Sequence, residues 1–139
     1  MTTPEYRLFS LGSNPKLADE IANILGTNLS DIDVRQFADD EIYERIEQTV
    51  RGRDVYVIQG ISDPVNDNFM KLMIFIDAAR RASAKTINVV IPYFGYARSD
   101  RKARSREPIA ARLIANMLES QGVKRVITMD LHADQVQGF

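Results

Sequence analysis

Apolar and polar positions along this chain follow two periods in turn, one typical of strands and one typical of helices. Apolar runs rich in β-branched and aromatic residues predict strands at residues 6–11, 54–59, 86–93 and 125–131. Apolar residues at helical spacing predict helices at residues 15–25, at 66–83 and from Pro108 onward. This alternation predicts an α/β fold with a mostly parallel sheet flanked by helices.

The first helix has the clearest boundaries in the sequence. Asn14 suits the N-cap and Pro15 the first helical position, while Gly26 stands where a left-handed C-terminal residue belongs. The helix at 66–83 is apolar nearly all round, so we expect it to be buried against a sheet or another subunit. Gly122 is expected to close the helix that starts at Pro108.

Residues 33–50 fit two structures. Ile42, Ile46 and Val50 recur every four residues, which favours a helix. Ile42 and Ile46 also occupy alternate positions of a strand. Periodicity leaves both interpretations open.

The composition narrows the class of protein. With 139 residues, 45% hydrophobic and 27% charged, the chain resembles one soluble globular domain. A net charge of −1 gives no reason to expect a nucleic-acid partner. The absence of cysteine excludes disulfides and thiolate metal sites. No apolar run has the length of a membrane span or a signal peptide, so we expect a cytoplasmic protein with no membrane partner.

A basic segment, residues 94–107, follows the predicted strand 86–93. It carries five cations, namely Arg98, Arg101, Lys102, Arg104 and Arg106. In open α/β sheets ligands bind beyond the carboxyl ends of the strands, and guanidinium groups match phosphate oxygens. A solvated surface loop is the alternative. The strand-end position and the interleaved Tyr93, Phe94 and Tyr96 favour a phosphate or nucleotide site.

The predicted strand 125–131 leads into Asp130 and His132. Side chains two residues apart at a strand end point the same way, so this carboxylate and imidazole could share a metal ion or a hydrogen bond. A purely structural histidine is an equally weighted interpretation. With one histidine and no cysteine, Mg²⁺ fits better than zinc.

Phe37 stands beside three carboxylates, Asp39, Asp40 and Glu41. Taken alone this pattern fits a plain turn. The acids could also accept hydrogen bonds from the exocyclic amine of a base, although the pattern is only a weak signal for such a site.

Several stretches closely resemble ribose-phosphate pyrophosphokinases, also called phosphoribosyl pyrophosphate synthetases. They are RQFADDEI (35–42), VRGRDVYVIQ (50–59), VNDNFMKLMIFIDAARRASA (65–84), INVVIPYFGYARSDRKARSREPIAARLIANML (87–118) and ITMDLHADQVQGF (127–139). The resemblance runs from near Tyr6 to the last residue and corresponds to the N-terminal half of the family. It implies that residues 1–139 form the N-terminal phosphoribosyltransferase-like domain of a two-domain synthetase, with the C-terminal domain absent from this chain. It also implies a β-hairpin near residues 34–50.

The activity that this resemblance implies is that of a ribose-phosphate diphosphokinase, which serves nucleotide biosynthesis. Such enzymes transfer the diphosphoryl group of MgATP to O1 of ribose 5-phosphate and release 5-phosphoribosyl 1-diphosphate and AMP. The family assembles as homo-oligomers, dimers within a hexamer. Its catalytic loop and ribose 5-phosphate loop lie beyond Phe139. We therefore expect no catalytic residue within this chain, and no activity from the 139 residues alone.

The resemblance also assigns site residues by position. Those implied to bind ATP are Phe37, Asp39, Asp40, Glu41, Arg98, Ser99 and Asp100. His132, with Asp130 close by, matches a Mg²⁺ ligand. Those implied to bind phosphate or ADP as allosteric effectors are Arg51, Ser83, Arg106 and Gln137.

One departure keeps a second interpretation open. Ser99 stands where the family usually has glutamine, which shortens one ATP contact. Together with the missing half, it favours a non-catalytic regulatory or truncated paralogue that binds nucleotide or phosphate and assembles with active subunits. The retained Phe37, Arg98 and His132 favour the enzyme.

Overall fold

A computed structural model describes residues 5–97 and 104–129 of the chain. Within these ranges the elements are β1 (Tyr6–Ser10), α1 (Pro15–Leu25), β2 (Ile32–Gln36), β3 (Ile42–Ile46), β4 (Asp54–Ile58), α2 (Val65–Arg81), β5 (Thr86–Ile91), α3 (Ala110–Ser120) and β6 (Arg125–Thr128). From β4 onward strands and helices alternate as the sequence pattern predicted, whereas β2, β3 and β4 follow one another with no helix between them. Among the described residues, no helix is long and apolar enough to cross a membrane.

The main sheet is parallel, with the strands in the order β1-β4-β5-β6. One row of the register runs from Leu8 through Tyr56 and Asn88 to Arg125. Strand β5 has a neighbour on each side, which confirms the central position predicted from its apolar residues. Within the described part of the chain, β6 pairs only with β5, and its Val126 and Ile127 are exposed.

The two faces of the main sheet carry different amounts of core. Helices α2 and α3 cover one face, where completely buried side chains include Phe9, Phe75 and Val89. Helix α1 packs on the other face through Ala18 and Ala22, in a smaller cluster. Since neighbouring residues of a strand point to opposite faces, β1, β4 and β5 contribute to both clusters.

The helix boundaries follow the capping signals closely at α1 and less closely at α3. The Asn14 side chain accepts a hydrogen bond from the Leu17 backbone N–H at 3.1 Å, and Gly26 adopts a φ of 68°. Both α1 predictions are confirmed. Helix α3 begins at Ala110 and not at Pro108, because the backbone at Ile109 is still non-helical at φ −115° and ψ 87°. Gly122, with a φ of 89°, follows the end of α3.

Strands β2 and β3 form a separate antiparallel hairpin in which Val34 pairs with Glu44. This hairpin, Ile32–Ile46, decides between the two interpretations of residues 33–50 in favour of strands. Ile42 and Ile46 lie on one face of β3, as alternate positions require, and β3 packs along α2. Val50 lies beyond the hairpin and is fully buried.

Candidate functional site

A buried polar network joins three segments near the carboxyl ends of β1 and β4. Gln59, completely buried, donates from Nε2 to the Asn68 carbonyl and side-chain oxygens at 3.2 and 3.3 Å. Its Oε1 accepts from the Ser13 N–H at 3.3 Å, and Asn68 Nδ2 donates to the Ser62 carbonyl at 2.9 Å. Because buried polar groups are costly without partners, this network holds the loops after β1 and β4 against α2.

The chain after β5 approaches the loop after β4 very closely. A Cβ added to Gly95 would lie 2.4 Å from the Ile61 carbonyl oxygen and 2.8 Å from Ile61 Cγ2, so only glycine fits without a shift of the backbone. Tyr96 next to it has a φ of 68°, and its hydroxyl donates to the Asn66 side chain on α2. The first turn of the basic segment is therefore packed and fixed.

Tyr93 and the two aromatic residues of the basic segment, Phe94 and Tyr96, have different surroundings. Phe94 is buried in the main core and has a structural role. Tyr93 is 56% exposed and Tyr96 is 38% exposed. Two aromatic rings therefore face solvent at the edge of the sheet where ligands bind in this class of fold. The predicted ATP-binding residues Arg98, Ser99 and Asp100 follow directly and lie outside the described residues, so those assignments remain predictions.

The hairpin tip, residues 37–41, is a tight turn. The Phe37 N–H donates to the Glu41 carbonyl at 2.8 Å, and the Asp40 N–H donates to the Phe37 carbonyl at 2.9 Å. Asp40 adopts a φ of 70°, a conformation that aspartate tolerates better than most residues. Phe37 is 51% exposed, and the three acidic residues of the tip are also exposed. An aromatic face and three carboxylates are thus presented together.

Two contacts order the tip further. Asp39 Oδ1 accepts from the Glu41 N–H at 3.1 Å, and hydrogen bonding by the side chain and backbone of Glu41 lowers the pKa of Asp39. Gln36 Nε2 donates to the Asp40 carbonyl at 3.4 Å and to Asp67 Oδ2 on α2 at 3.3 Å. A side chain at the end of β2 therefore links the tip to the helix beneath the hairpin.

Two of the predicted effector residues are brought together by the fold. Arg51 pairs with Ala84 in an isolated antiparallel bridge, and the Gly52 N–H donates to the Ser83 carbonyl at 2.9 Å. Ser83 has a φ of 67°, a left-handed backbone conformation that is uncommon for residues other than glycine. Arg106 also has a positive φ, 66°. Gln137 lies outside the described residues.

The predicted metal ligands Asp130 and His132 lie outside the described residues, and β6 ends two residues before Asp130. Among the residues that the structure describes, no group of three or more histidine, cysteine, aspartate or glutamate side chains could hold a metal ion. The Mg²⁺ assignment therefore stays a prediction, based on the types of donor present.

Glu44 is a residue that the sequence analysis missed. Both of its carboxyl oxygens are buried and have no hydrogen-bond partner in the described part of the chain. Burial raises the pKa of Glu44 to about 8, and the nearby Lys71 ammonium opposes that rise only in part. A signal was present in the sequence, because Glu44 lies between Ile42 and Ile46 on what becomes the inner face of a strand.

Residues 6–122 match the family model for the N-terminal domain of ribose phosphate pyrophosphokinase. This chain belongs to that family. It is 60% identical over 133 residues to the ribose-phosphate pyrophosphokinase of Bacillus subtilis, covering 96% of this chain and 42% of that protein. It is 60% identical over 136 residues to ribose-phosphate pyrophosphokinase 2 of Enterococcus faecalis, covering 98% of this chain and 42% of that protein.

A solved structure agrees with the fold. The crystal structure of phosphoribosylpyrophosphate synthetase from Mycobacterium smegmatis superposes with a TM-score of 0.92 at 43% identity. The match covers 96% of this chain and 45% of that one. The chain therefore spans about two-fifths of the length of the curated relatives it matches. Family membership and the α/β fold inferred from the sequence are both confirmed.

Proposed function

We propose that this chain provides the ATP-binding part of a ribose-phosphate diphosphokinase. The complete reaction transfers the diphosphoryl group of MgATP to O1 of ribose 5-phosphate and yields 5-phosphoribosyl 1-diphosphate and AMP. Two lines of support are the relatives named ribose-phosphate pyrophosphokinase and the geometry of the hairpin tip. The protein acts as a homo-oligomer in this proposal, as the resemblance implies.

The observation that carries the proposal is the exposed aromatic ring of Phe37 beside the carboxylates of a tight turn. An adenine ring stacks on the face of Phe37, a contact worth about 1 to 3 kcal/mol per base. Its exocyclic amine donates to a carboxylate of Asp39 or Glu41. Since the lowered pKa of Asp39 keeps that group ionised at neutral pH, it acts only as an acceptor.

The phosphate chain of ATP requires positive charge. The sequence offers an arginine after β5 and two candidate Mg²⁺ ligands after β6. Arg98 binds phosphate oxygens through its forked donors, with Ser99 and Asp100 beside it. Asp130 and His132 would hold Mg²⁺, since one carboxylate and one imidazole leave coordination positions for water and phosphate oxygens. When bound, the metal ion supplies charge neutralisation, which dominates catalysis of phosphoryl transfer together with positioning.

Calorimetric titration of MgATP into this chain tests the proposal. Phe37→Ala should weaken binding roughly 5- to 150-fold, the equivalent of about 1 to 3 kcal/mol. Tyr43→Ala is the matched control, because Tyr43 is also an exposed aromatic residue of the hairpin but lies outside the tip. It should bind as the unmodified chain does. Equal affinity in all three proteins would refute a role of the tip in binding.

A second titration tests the cationic side of the site. The Arg98→Ala/His132→Ala double variant should lose MgATP binding, since both the phosphate contact and a metal ligand are removed. If a folded parent chain binds no MgATP, the nucleotide site requires residues beyond these 139 or a neighbouring subunit, and the non-catalytic interpretation gains support. Product formation from ATP and ribose 5-phosphate by the 139 residues alone would contradict the expected lack of activity.

Arg51 and Ser83 belong to the proposal as an effector site. The β-bridge between Arg51 and Ala84 places a cationic residue next to the positive-φ backbone of Ser83, a setting suited to a phosphate group of an effector. Phosphate or ADP should bind to this chain, and Arg51→Ala should weaken that binding while leaving Phe37-dependent ATP binding intact. Unchanged phosphate binding in Arg51→Ala would exclude this site.

A further inference from the structure

The contact between the hairpin and α2 contains an acid where an apolar residue would be expected. Glu44 lies opposite Val34 and on the same face of β3 as Ile42 and Ile46. Val34 and Ile46 pack against the main core from this face. Both Glu44 carboxyl oxygens are buried there with no hydrogen-bond partner among the described residues.

The charges around Glu44 do not neutralise an ionised carboxylate. From α2, the Lys71 ammonium acts on it, but no ion pair within 4.0 Å joins the two in the described structure. Asp67, one turn earlier on α2, accepts a hydrogen bond from Gln36 and carries the wrong sign. From β2 the facing residue is Val34, which has no charge.

The charged residues on either side of Val34 are engaged elsewhere. Asp33 and Arg35 point to the opposite face of the hairpin, since they alternate with Val34. They pair with each other at 3.1 Å. Ionisation of Glu44 in the docked hairpin would therefore leave a charge without a close partner, a state that costs several kcal/mol in protein interiors.

We propose that Glu44 is a protonation switch for the hairpin: as a neutral acid it keeps the hairpin docked on α2, and its ionisation releases the hairpin. Among the residues that the structure describes, the hairpin forms a separate sheet of two strands, and such a unit is marginal without packing on another element. Opening it hydrates Glu44 and leaves the main sheet intact. The same motion displaces the tip, because it breaks the hydrogen bond from Gln36 to Asp67 that ties the tip to α2.

The sign and size of the effect follow from proton linkage. Glu44 has a pKa of about 8 in the docked hairpin, against an ordinary value of 4.5 that applies once it is exposed to water. Docking therefore binds a proton between these values, and the population of the open hairpin rises by up to roughly tenfold per pH unit up to about pH 8. Above that pH the population levels off. Because the pKa of Glu44 in the docked hairpin is about 8, the population of the open hairpin changes with pH around neutrality.

Hydrogen exchange of the backbone amides of β2 and β3 in this chain, without nucleotide, tests the switch. Glu44→Gln keeps the shape of the neutral acid and cannot ionise. The ratio of hairpin exchange rates, parent chain over Glu44→Gln, should grow by up to about 100-fold between pH 6 and pH 8. Amides of β4 and β5 should show a constant ratio. Glu47→Gln, the same change at an exposed position next to β3, should show no growth of the ratio in the hairpin.

A carboxyl NMR titration of Glu44 in the unmodified chain does not depend on how well a variant folds. The midpoint should lie well above 4.5, and Lys71→Met should raise it further, because the Lys71 charge favours the ionised form. A midpoint near 4.5, as expected for a carboxylate that has moved to pair with Lys71, would overturn the proposal. Parallel exchange profiles of the parent chain and Glu44→Gln would do the same.

The consequence for nucleotide binding rests on the proposed function. If the tip binds adenine, ATP affinity should fall between pH 7 and pH 8.5 in the parent chain and stay constant in Glu44→Gln. Because the exchange experiment contains no nucleotide, the two ideas fail separately. Absence of ATP binding would refute the proposed function, whereas pH-independent hydrogen exchange of the hairpin would refute the proposed switch.

Discussion

The main sheet and the hairpin are built on opposite principles. The interior of the sheet contains large side chains that are completely buried, such as Phe9, Leu72 and Phe75. The inner face of the hairpin is only partly buried and includes the acid Glu44. Strand β4 is hydrogen-bonded on both sides, whereas within the described part of the chain β2 and β3 pair only with each other. Stability is therefore concentrated in the sheet, and the residues predicted to bind ATP at the hairpin tip lie on the less deeply buried element.

The largest effect that this comparison predicts belongs to Phe75→Ala. The Phe75 ring is fully buried and packs 5.1 Å from the Phe9 ring, centroid to centroid. Its truncation leaves a cavity in the main core and should reduce the free energy of unfolding by about 3 to 5 kcal/mol. Urea unfolding measures this loss. A loss below about 1 kcal/mol would show that the sheet is not the stable region.

Asn68→Ala should have the next largest effect. It removes the Nδ2 donor to the Ser62 carbonyl and one of two acceptors for the buried Gln59 amide, so the loss should be about 1 to 3 kcal/mol. Asn23→Ala, at an exposed position of α1, is the control and should change the free energy of unfolding by less than about 0.5 kcal/mol. Similar values for the two variants would mean that the network does not hold the loops.

Glu44→Leu should stabilise the protein and increase the free energy of unfolding by about 1 to 2 kcal/mol at pH 7. The pKa of Glu44 is raised to about 8 in the folded chain, so the neutral acid is the form that folding favours. The unmodified chain should lose stability as the pH rises from about 4.5 towards 8, and the variant should not.

Urea unfolding at pH 5, 7 and 9 measures the gap between these two proteins. It should be narrowest at pH 5 and widest at pH 9. A gap that is the same at all three values would mean that Glu44 does not titrate between the hairpin and α2.

The smallest effect on stability is expected for Phe37→Ala. Half of this ring is already exposed to solvent, so the free energy of unfolding should change by less than about 0.5 kcal/mol. The same substitution at Phe75 costs several times more, although both remove an identical side chain. Thermal and urea unfolding of the two variants side by side check this contrast. A large loss at Phe37 would mean that the tip has a structural role.

The sequence predicted the main sheet better than the hairpin for a physical reason. Strands β4 and β5 are short, rich in β-branched residues and buried, so their pattern fits one structure only. In β3, the spacing of four between Ile42 and Ile46 is a multiple of the strand period and also close to one helical turn. The resemblance to a family, and not periodicity, favoured strands there.

The residues of the candidate site also differ in how well the sequence predicted them. Phe37 and its acidic neighbours were identified from the sequence, and the structure shows that they share one exposed turn. Arg51 and Ser83 were assigned to an effector site by resemblance alone, and the structure shows that a contact between distant parts of the chain brings them together. Glu44 was missed, since a glutamate in an alternating segment ordinarily faces solvent.

The sequence by itself determined the order of strands and helices, the caps of α1 and the membership of the family, because hydrogen-bonding periods and capping are local properties. The tertiary structure alone decided that the hairpin packs on α2, that Gly95 meets Ile61 and that Glu44 is buried with no hydrogen-bond partner among the described residues. Each of these depends on which surfaces come together as the chain folds. A residue's burial, and with it the pKa of a carboxyl group, is a property of those surfaces.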